Sequence, residues 1–368
     1  MYCMMTKVLF IGFKLYNSIL NGGGLENKRM LTALQKKFGA ENVDTYYLLD
    51  EKVKRSAWSK LAALLYMFRD YHNGLTPAKV EAIVEKAKSG YNYVFISTSV
   101  LGILAKILKG VGYTGKTIVH FHNIEGIYYD AITPKWLPGR QIVVNCAANN
   151  DRYACEYADK IITLSQRDAD YLLKHYGRRT DVVIGIGLKD RCRESEPKNV
   201  MTGKVPDCLF LGSYFPPNNE GVLWFVNNVL PRVKIHFRIV GKGMQELKKN
   251  NTCLENVEVL SDVPDLAPYF ESADFMILPI FSGSGMKVKT CESLMFGKNI
   301  LGSTETFEGY DLDTNLVGRR CDTAEEYIDA INYFAEHPVS RYNEISRKVF
   351  LEKYSEEATE GRLYSIFE

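Results

Sequence analysis

The sequence predicts an α/β fold built as two parallel-sheet domains. Three observations predict it: strand-like apolar runs alternate with helical patterns, the alternation restarts after a polar interval, and 368 residues exceed one small core. A soluble composition agrees, with 46% hydrophobic and 24% charged residues.

In the first half, Lys7 to Phe13 reads as a strand, Asn21 to Leu25 (NGGGL) as a glycine turn, and Glu26 to Phe38 as a helix with Met30, Leu31, Leu34 and Phe38 near one face. Val43 to Leu48, Tyr93 to Ser97, Lys116 to Phe121 and Lys160 to Leu164 read as further strands. The boundary falls in Lys189 to Pro206, which is polar and carries two prolines. The expected division is 1–190, 204–340, and a helical segment 341–368 packing back on the first domain.

In the second half, Asp207 to Leu211, His236 to Val240, Val257 to Leu260, Phe275 to Pro279 and Ile300 to Ser303 read as strands. Helical patterns cover Glu220 to Val229, Asp265 to Glu271 and Ala324 to Glu336, and Ser340 to Glu368 reads as one long helical stretch. Ligands of such sheets bind beyond the carboxyl ends of the strands, so two domains facing one another form a cleft there.

The segment richest in chemistry is FSGSGMKVKT followed by CESLMFGK, residues 281–298. A buried strand precedes it and a helix follows. That order brings backbone amides near Ser284, Gly285 and Met286, and the ammonium groups of Lys287 and Lys289, to a helix N-terminus. Such a terminus favours anions, because its amides are unpaired and its dipole is positive. A phosphate-bearing ligand is expected, with Glu292 able to accept hydrogen bonds from sugar hydroxyls.

Other features bound the function. No apolar run reaches the ~20 residues of a membrane span. The N-terminus lacks a basic n-region and a small-residue cleavage site, and the eight cysteines show no CxxC spacing, so reduced thiols in the cytoplasm are expected. Residues 1–200 hold 29 Lys+Arg against 19 Asp+Glu, and the rest hold 17 against 25. A basic first half suits an anionic surface or substrate. No nucleic-acid motif accompanies it. Lys52 to Tyr71 carries Trp58, Leu61, Leu64, Leu65 and Phe68 at helical spacing, flanked by Lys52, Lys54, Arg55, Lys60 and Arg69. It reads equally as a core helix with a basic face or as a segment lying on an anionic membrane; the charge balance favours the membrane, and with it a peripheral location on the inner face.

The order of motifs resembles the GT-B glycosyltransferases of the retaining family 4 type, the glycosyl transferases group 1. The residues carrying the resemblance are FLGSYFPPNNEGVLWFV (210–226), IVGKGM (239–244), VPDLAPYFESADFMILP (263–279), GSGMKVKTCESLMFGK (283–298) and ETFEGYD (305–311), with weaker agreement at 21–34, 119–129 and 155–172. The resemblance implies two Rossmann-like domains and transfer from a nucleotide-sugar to a glycan or lipid-linked acceptor, in surface polysaccharide synthesis, with no cofactor beyond the donor. It implies donor contacts at Gly23, Gly24, Gly241, Ser284, Gly285, Met286, Lys287 and Glu292. Glu292 matches the glutamate that holds the ribose. His122, with His120 on the same side of its strand, matches a histidine near the donor sugar. Lys289 and Lys287 stabilise the leaving diphosphate, and Glu125 orients an acceptor hydroxyl or carries its proton. Two departures stand out: Ser284 occupies the place of a first glutamate, and YFPPNN (214–219) replaces an Arg–Lys pair. Asp168/Asp170 and Asp311/Asp313 have DxD spacing, yet neither reads as a metal site. A nucleotide-sugar epimerase of the same fold and an inactive partner subunit are the competing readings.

Overall fold

Continuous apolar runs make strands that are buried on both faces, the pattern of a parallel sheet covered by helices. The computed structural model describes residues 6–13, 22–48, 57–72, 74–192, 205–254, 257–283, 285–337 and 340–368. They divide into two compact units: unit 1 is Met1–Ile184 with Glu360–Glu368, and unit 2 is Gly185–Thr359.

In unit 1 the strands are β1 (Val8–Gly12), β2 (Val43–Tyr47), β3 (Tyr93–Ile96), β4 (Lys116–Phe121), β5 (Lys160–Thr163) and β6 (Val182–Val183). They pair in parallel in the order β2-β1-β3-β4-β5-β6. The order reverses between β1 and β3, which is where a doubly wound sheet opens a crevice. One face packs Leu9, Ile11, Val94, Ile96 and Val119 under helices. The other packs Val8, Phe10, Phe95 and Ile118 with Met30, Leu34, Leu363 and Ile366.

In unit 2 the strands are β7 (Asp207–Leu211), β8 (His236–Val240), β9 (Glu258–Leu260), β10 (Phe275–Leu278), β11 (Ile300–Gly302) and β12 (Gly318–Arg320). Their order is β12-β11-β10-β7-β8-β9, again parallel where paired. Read from β9, this is the Rossmann order, and its switch point lies between β7 and β10. A single core runs from Leu209 and Phe210 through Ile277 and Leu278 to Tyr327 and Phe350.

Three expectations change. Of the expected glycine turn at Asn21 to Leu25, Asn21 lies outside the described residues and Gly22 to Leu25 are instead the first turn of the helix Gly22–Phe38. A first turn tolerates glycine because its amides have no intrahelical acceptor to lose. The stretch from Ser340 to the end is not one helix. It breaks into Glu344–Val349, a wide turn Phe350–Tyr354, and Glu356–Ser365. Ser355 is extended, and it bridges to Leu188, so a pairing in the fold overrides local helix propensity there. Finally, 341–368 is not one segment of its own: residues through Thr359 cluster with unit 2, and only Glu360–Glu368 cluster with unit 1. Lys52 to Ser56 lie outside the described residues; Ala57–Met67 is helical.

Candidate active site

In unit 2 the loops after β7 and β10 meet at the switch point. The helix Val288–Met295 begins at Lys287, with no side chain capping its first turn. Gly283 and Gly285 precede it with φ of 135° and 65°, a backbone that other residues adopt only at a cost. Ser284 lies outside the described residues. Uncapped first-turn amides following a glycine turn form an anion-binding geometry.

Lys289 projects from this helix into the protein. Its ammonium donates to Asn218 Oδ1 and lies 5.4 Å from the Phe210 ring centroid. Burial, with help from Lys287, pulls its pKa down to about 8, against a partial upward pull from Glu292. Asn218 comes from the helix Pro216–Asn228, where Pro216 sets the first turn, and donates through Nδ2 to Ser213 O at 2.8 Å. Asn218 therefore ties the end of β7 to the helix after β10.

Lys287 is held differently. Its ammonium donates to Gly285 O at 2.7 Å and pairs with Glu305 at 2.5 Å, while its carbonyl accepts from the Tyr310 hydroxyl at 2.8 Å. Its charge is thus already met by a carboxylate. Met286 is buried against Gly185. Glu292 accepts from Arg191 at 2.9 Å. Burial pushes the Glu292 carboxyl up, and Arg191 and Lys289 pull it back.

Beside these groups, a cavity of about 460 Å³ opens at the ends of β7, β8 and β9. Gly212, Ser213, Gly241, Lys242, Asp262 and Val263 contribute to its walls. Gly241 is required for steric reasons: a Cβ there would lie 2.0 Å from the Gly212 carbonyl oxygen.

In unit 1 a second polar cluster stands at the end of β4. His120 and His122 are buried with ring centroids 4.7 Å apart. His120 Nε2 is 3.7 Å from Glu26, which is bound by Arg29 through two hydrogen bonds. Burial holds His120 far below its ordinary value, so its contact with Glu26 is not an ion pair. His122 is also lowered by burial, partly offset by Glu26. Gly23 and Gly24 lie in the same helix as Glu26, one turn earlier.

Glu125 is the first residue of the helix Glu125–Ile132 and accepts from Thr98 Oγ1 at 3.2 Å. Asp151, fully buried, accepts from Ser99 Oγ and from the Gly126 amide, both at 2.8 Å. Burial pushes both carboxyls up, and Asp151 adds to the shift of Glu125. Thr98 and Ser99 follow β3, so this cluster adjoins the switch point of the first sheet.

The DxD aspartates have structural partners. Asp168 accepts from Ser165, Asp170 from Gln166 and Asp311 from Lys353, and Asp313 caps the helix Thr314–Val317. Sequence reasoning passed over Asn218, Arg191, Glu305, Glu26 and Asp151. Glu305 and Asn218 lie within the quoted motifs; nothing in the sequence marks Arg191.

Residues 205–337 match the profile of the family described as glycosyl transferases group 1. The matched stretch spans most of unit 2. No curated protein matches the sequence. Solved structures share the fold. Sucrose-phosphate synthase from Thermosynechococcus elongatus aligns over 98% of both chains, with 14% identity and a TM-score of 0.69. HepE of Anabaena in complex with UDP aligns over 98% of this chain and 99% of its own, at 14% and 0.69. The lipopolysaccharide outer core galactosyltransferase WaaB gives the same coverage, identity and TM-score. The two-sheet architecture is therefore the GT-B fold. The matched residues include Asn218, Gly241, Lys289 and Glu292, whereas Arg191 lies before them.

Proposed function

We propose that this protein transfers a sugar from a nucleotide-sugar to a glycan or lipid-linked acceptor, with retention of configuration. The observation that carries the reading is Lys289, a part-buried ammonium one turn from Glu292, beside an uncapped helix start at the switch point of a stretch matching the group 1 profile. In this reading the base fills the cavity bounded by Gly212 and Gly241, Glu292 takes the ribose, and the diphosphate meets Lys289 and the amides after Gly285. Transfer leaves negative charge on the diphosphate, and a pre-placed ammonium in a dry site stabilises that charge more than it does the ground state. HepE has been solved with UDP and with UDP-glucose, which makes a uridine donor the first to test.

We assign the acceptor to unit 1, whose His122 and Glu125 offer neutral groups to sugar hydroxyls. With Lys289 and the amides after Gly285 answering the phosphate charge, the reaction in this reading needs no divalent metal. Thermal shifts with UDP-, GDP- and ADP-sugars should select one donor, and transfer with that donor should persist in excess EDTA. No stabilisation by any nucleotide-sugar would overturn the reading; loss of activity restored by Mg²⁺ would overturn its metal independence.

The acceptor's chemistry agrees with a membrane-surface role in polysaccharide synthesis. Among the described residues no helix is long and apolar enough to cross a membrane. Unit 1 instead exposes Leu65 (59%), Phe68 (66%) and Trp136 (79%) in a half of the chain with excess positive charge. Side chains of this kind seat at a lipid interface while cations meet its anionic headgroups. Sedimentation with anionic vesicles should weaken on neutralising Lys52, Lys54, Arg55 and Lys60 or on Trp136→Ser, and fall with salt. Equal sedimentation with zwitterionic vesicles would count against the charge argument.

A further inference from the structure

We propose that Arg191 is a positioning residue of the donor site: it holds the Glu292 carboxylate charged and in one orientation for the ribose hydroxyls. The inference rests on the donor-site reading above.

Arg191 belongs to a segment without helix or strand, yet both of its flanks are fixed to unit 2. Upstream, the Leu188 amide donates to Tyr354 O and its carbonyl accepts from the Glu356 amide, both at 3.0 Å. At the neighbouring position, Asp190 pairs with Arg347 through both carboxylate oxygens and accepts from the Cys192 amide at 3.0 Å. Arg347 also donates to Met295 O at 2.8 Å, and the Arg191 amide meets Met295 Sδ at 3.4 Å. Met295 ends the helix that carries Glu292. The backbone around Arg191 is thus fastened to the same helix as the carboxylate it meets.

The geometry of the pair follows. Arg191 Nη2 lies 2.9 Å from Glu292 Oε1, and the guanidinium is half exposed while the carboxylate is largely covered. A covered carboxylate needs a counter-charge to remain ionised. The charged and titratable groups facing Glu292 are Arg191, Lys289 one turn earlier, and the buried Tyr310 phenol. Lys289 is directed to Asn218 and, in the donor-site reading, to the diphosphate. Among the described residues Arg191 is the remaining cation, and it bonds Glu292 directly. A monodentate contact on one oxygen orients the carboxylate without enclosing it.

The test is calorimetric titration of wild type, Arg191→Met and Arg191→Lys with UDP, GDP or ADP, whichever wild type binds, from pH 5.5 to 8. Arg191→Met should bind roughly 10- to 100-fold more weakly at pH 7, the scale of one charge-assisted hydrogen bond. Its affinity should rise with pH more steeply than that of wild type, because without Arg191 the Glu292 carboxyl loses its proton later. Arg191→Lys should recover most of the loss. With Glu292→Gln in place, Arg191→Met should cost nothing more. Equal affinity and an equal pH profile in Arg191→Met would overturn the proposal. So would tighter binding, which would make Arg191 a blocker. If wild type binds none of the three nucleotides, the donor-site reading itself fails. If Glu292→Gln weakens binding while Arg191→Met does not, only this inference fails.

Discussion

At the end of β4, His120 is fully buried, with no hydrogen-bond partner for either ring nitrogen among the described residues. After β10, Lys289 is only partly buried, and it has Asn218, a neighbouring carboxylate and an aromatic face. The polar groups of the unit 1 cluster, apart from the Glu26–Arg29 pair, meet burial by becoming neutral: His120 and His122 are lowered, and Glu125 and Asp151 are raised. Those of unit 2 meet it by pairing, as Lys287 does with Glu305 and Glu292 with Arg191. A neutral polar site suits hydroxyl groups, whereas one with a part-buried cation near neutrality suits a phosphate. The difference teaches which unit is prepared for charge, and four substitutions or titrations can break it.

The largest effect should come from Lys289→Met. Losing a pre-placed cation should cost about 3–4 kcal/mol in turnover, the scale of removing one transition-state donor. Donor affinity should fall less, so kcat and KM should separate in steady-state kinetics. A raised KM with kcat unchanged would place Lys289 in ground-state binding only. Next, Glu292→Gln should weaken nucleoside diphosphate binding by roughly 1.5–3 kcal/mol and change kcat little; calorimetry decides it.

Glu125→Gln sharpens the unit 1 side. A carboxyl raised in the folded state contributes stability that is present below its unfolded pKa and lost as pH rises through the folded one. Here the folded value is about 8, against an ordinary 4.5. Wild type should therefore lose stability to Glu125→Gln between pH 5 and 8, at up to about 1.4 kcal/mol per pH unit, in parallel thermal melts. A constant difference would show that the carboxyl ionises freely and that unit 1 is no less charged than unit 2. The smallest effect is the pH dependence of donor binding. With Lys289 near 8 when unliganded, an anion should draw a proton onto it. Affinity for the diphosphate should fall above pH 8 by up to about tenfold per pH unit, and Lys289→Met should remove that slope.

The alternation of elements was legible because strands such as Val8–Gly12 and Phe275–Leu278 are buried throughout and so read as unbroken apolar runs. Lys287, Lys289 and Glu292 were legible as a group because a strand, a glycine turn and a helix follow one another within a few residues. Their separate duties were not. Lys287 meets Glu305 and Lys289 meets Asn218 through chain separations of 18 and 71 residues, which no local spacing encodes. Arg191 was invisible for the same reason: an arginine in a polar interval looks solvated until its partner, 101 residues away, is placed. The glycines at 22–24 misled because helix starts and turns accept glycine on similar terms.

The chain leaves unit 1 after Ile184 and supplies that unit again only from Glu360 onward. Leu363 and Ile366 are buried in the same core face as Val8 and Phe10. On a ribosome, the sheet begun first is therefore the one that must wait. Unit 2 is made whole in the interval, roughly 10–35 seconds at ordinary elongation rates, while Val8 and Phe10 lack these two apolar neighbours. The strand carrying Val8 and Phe10 is left partly uncovered while unit 2 is completed, so a holding chaperone would be expected to engage unit 1 rather than unit 2.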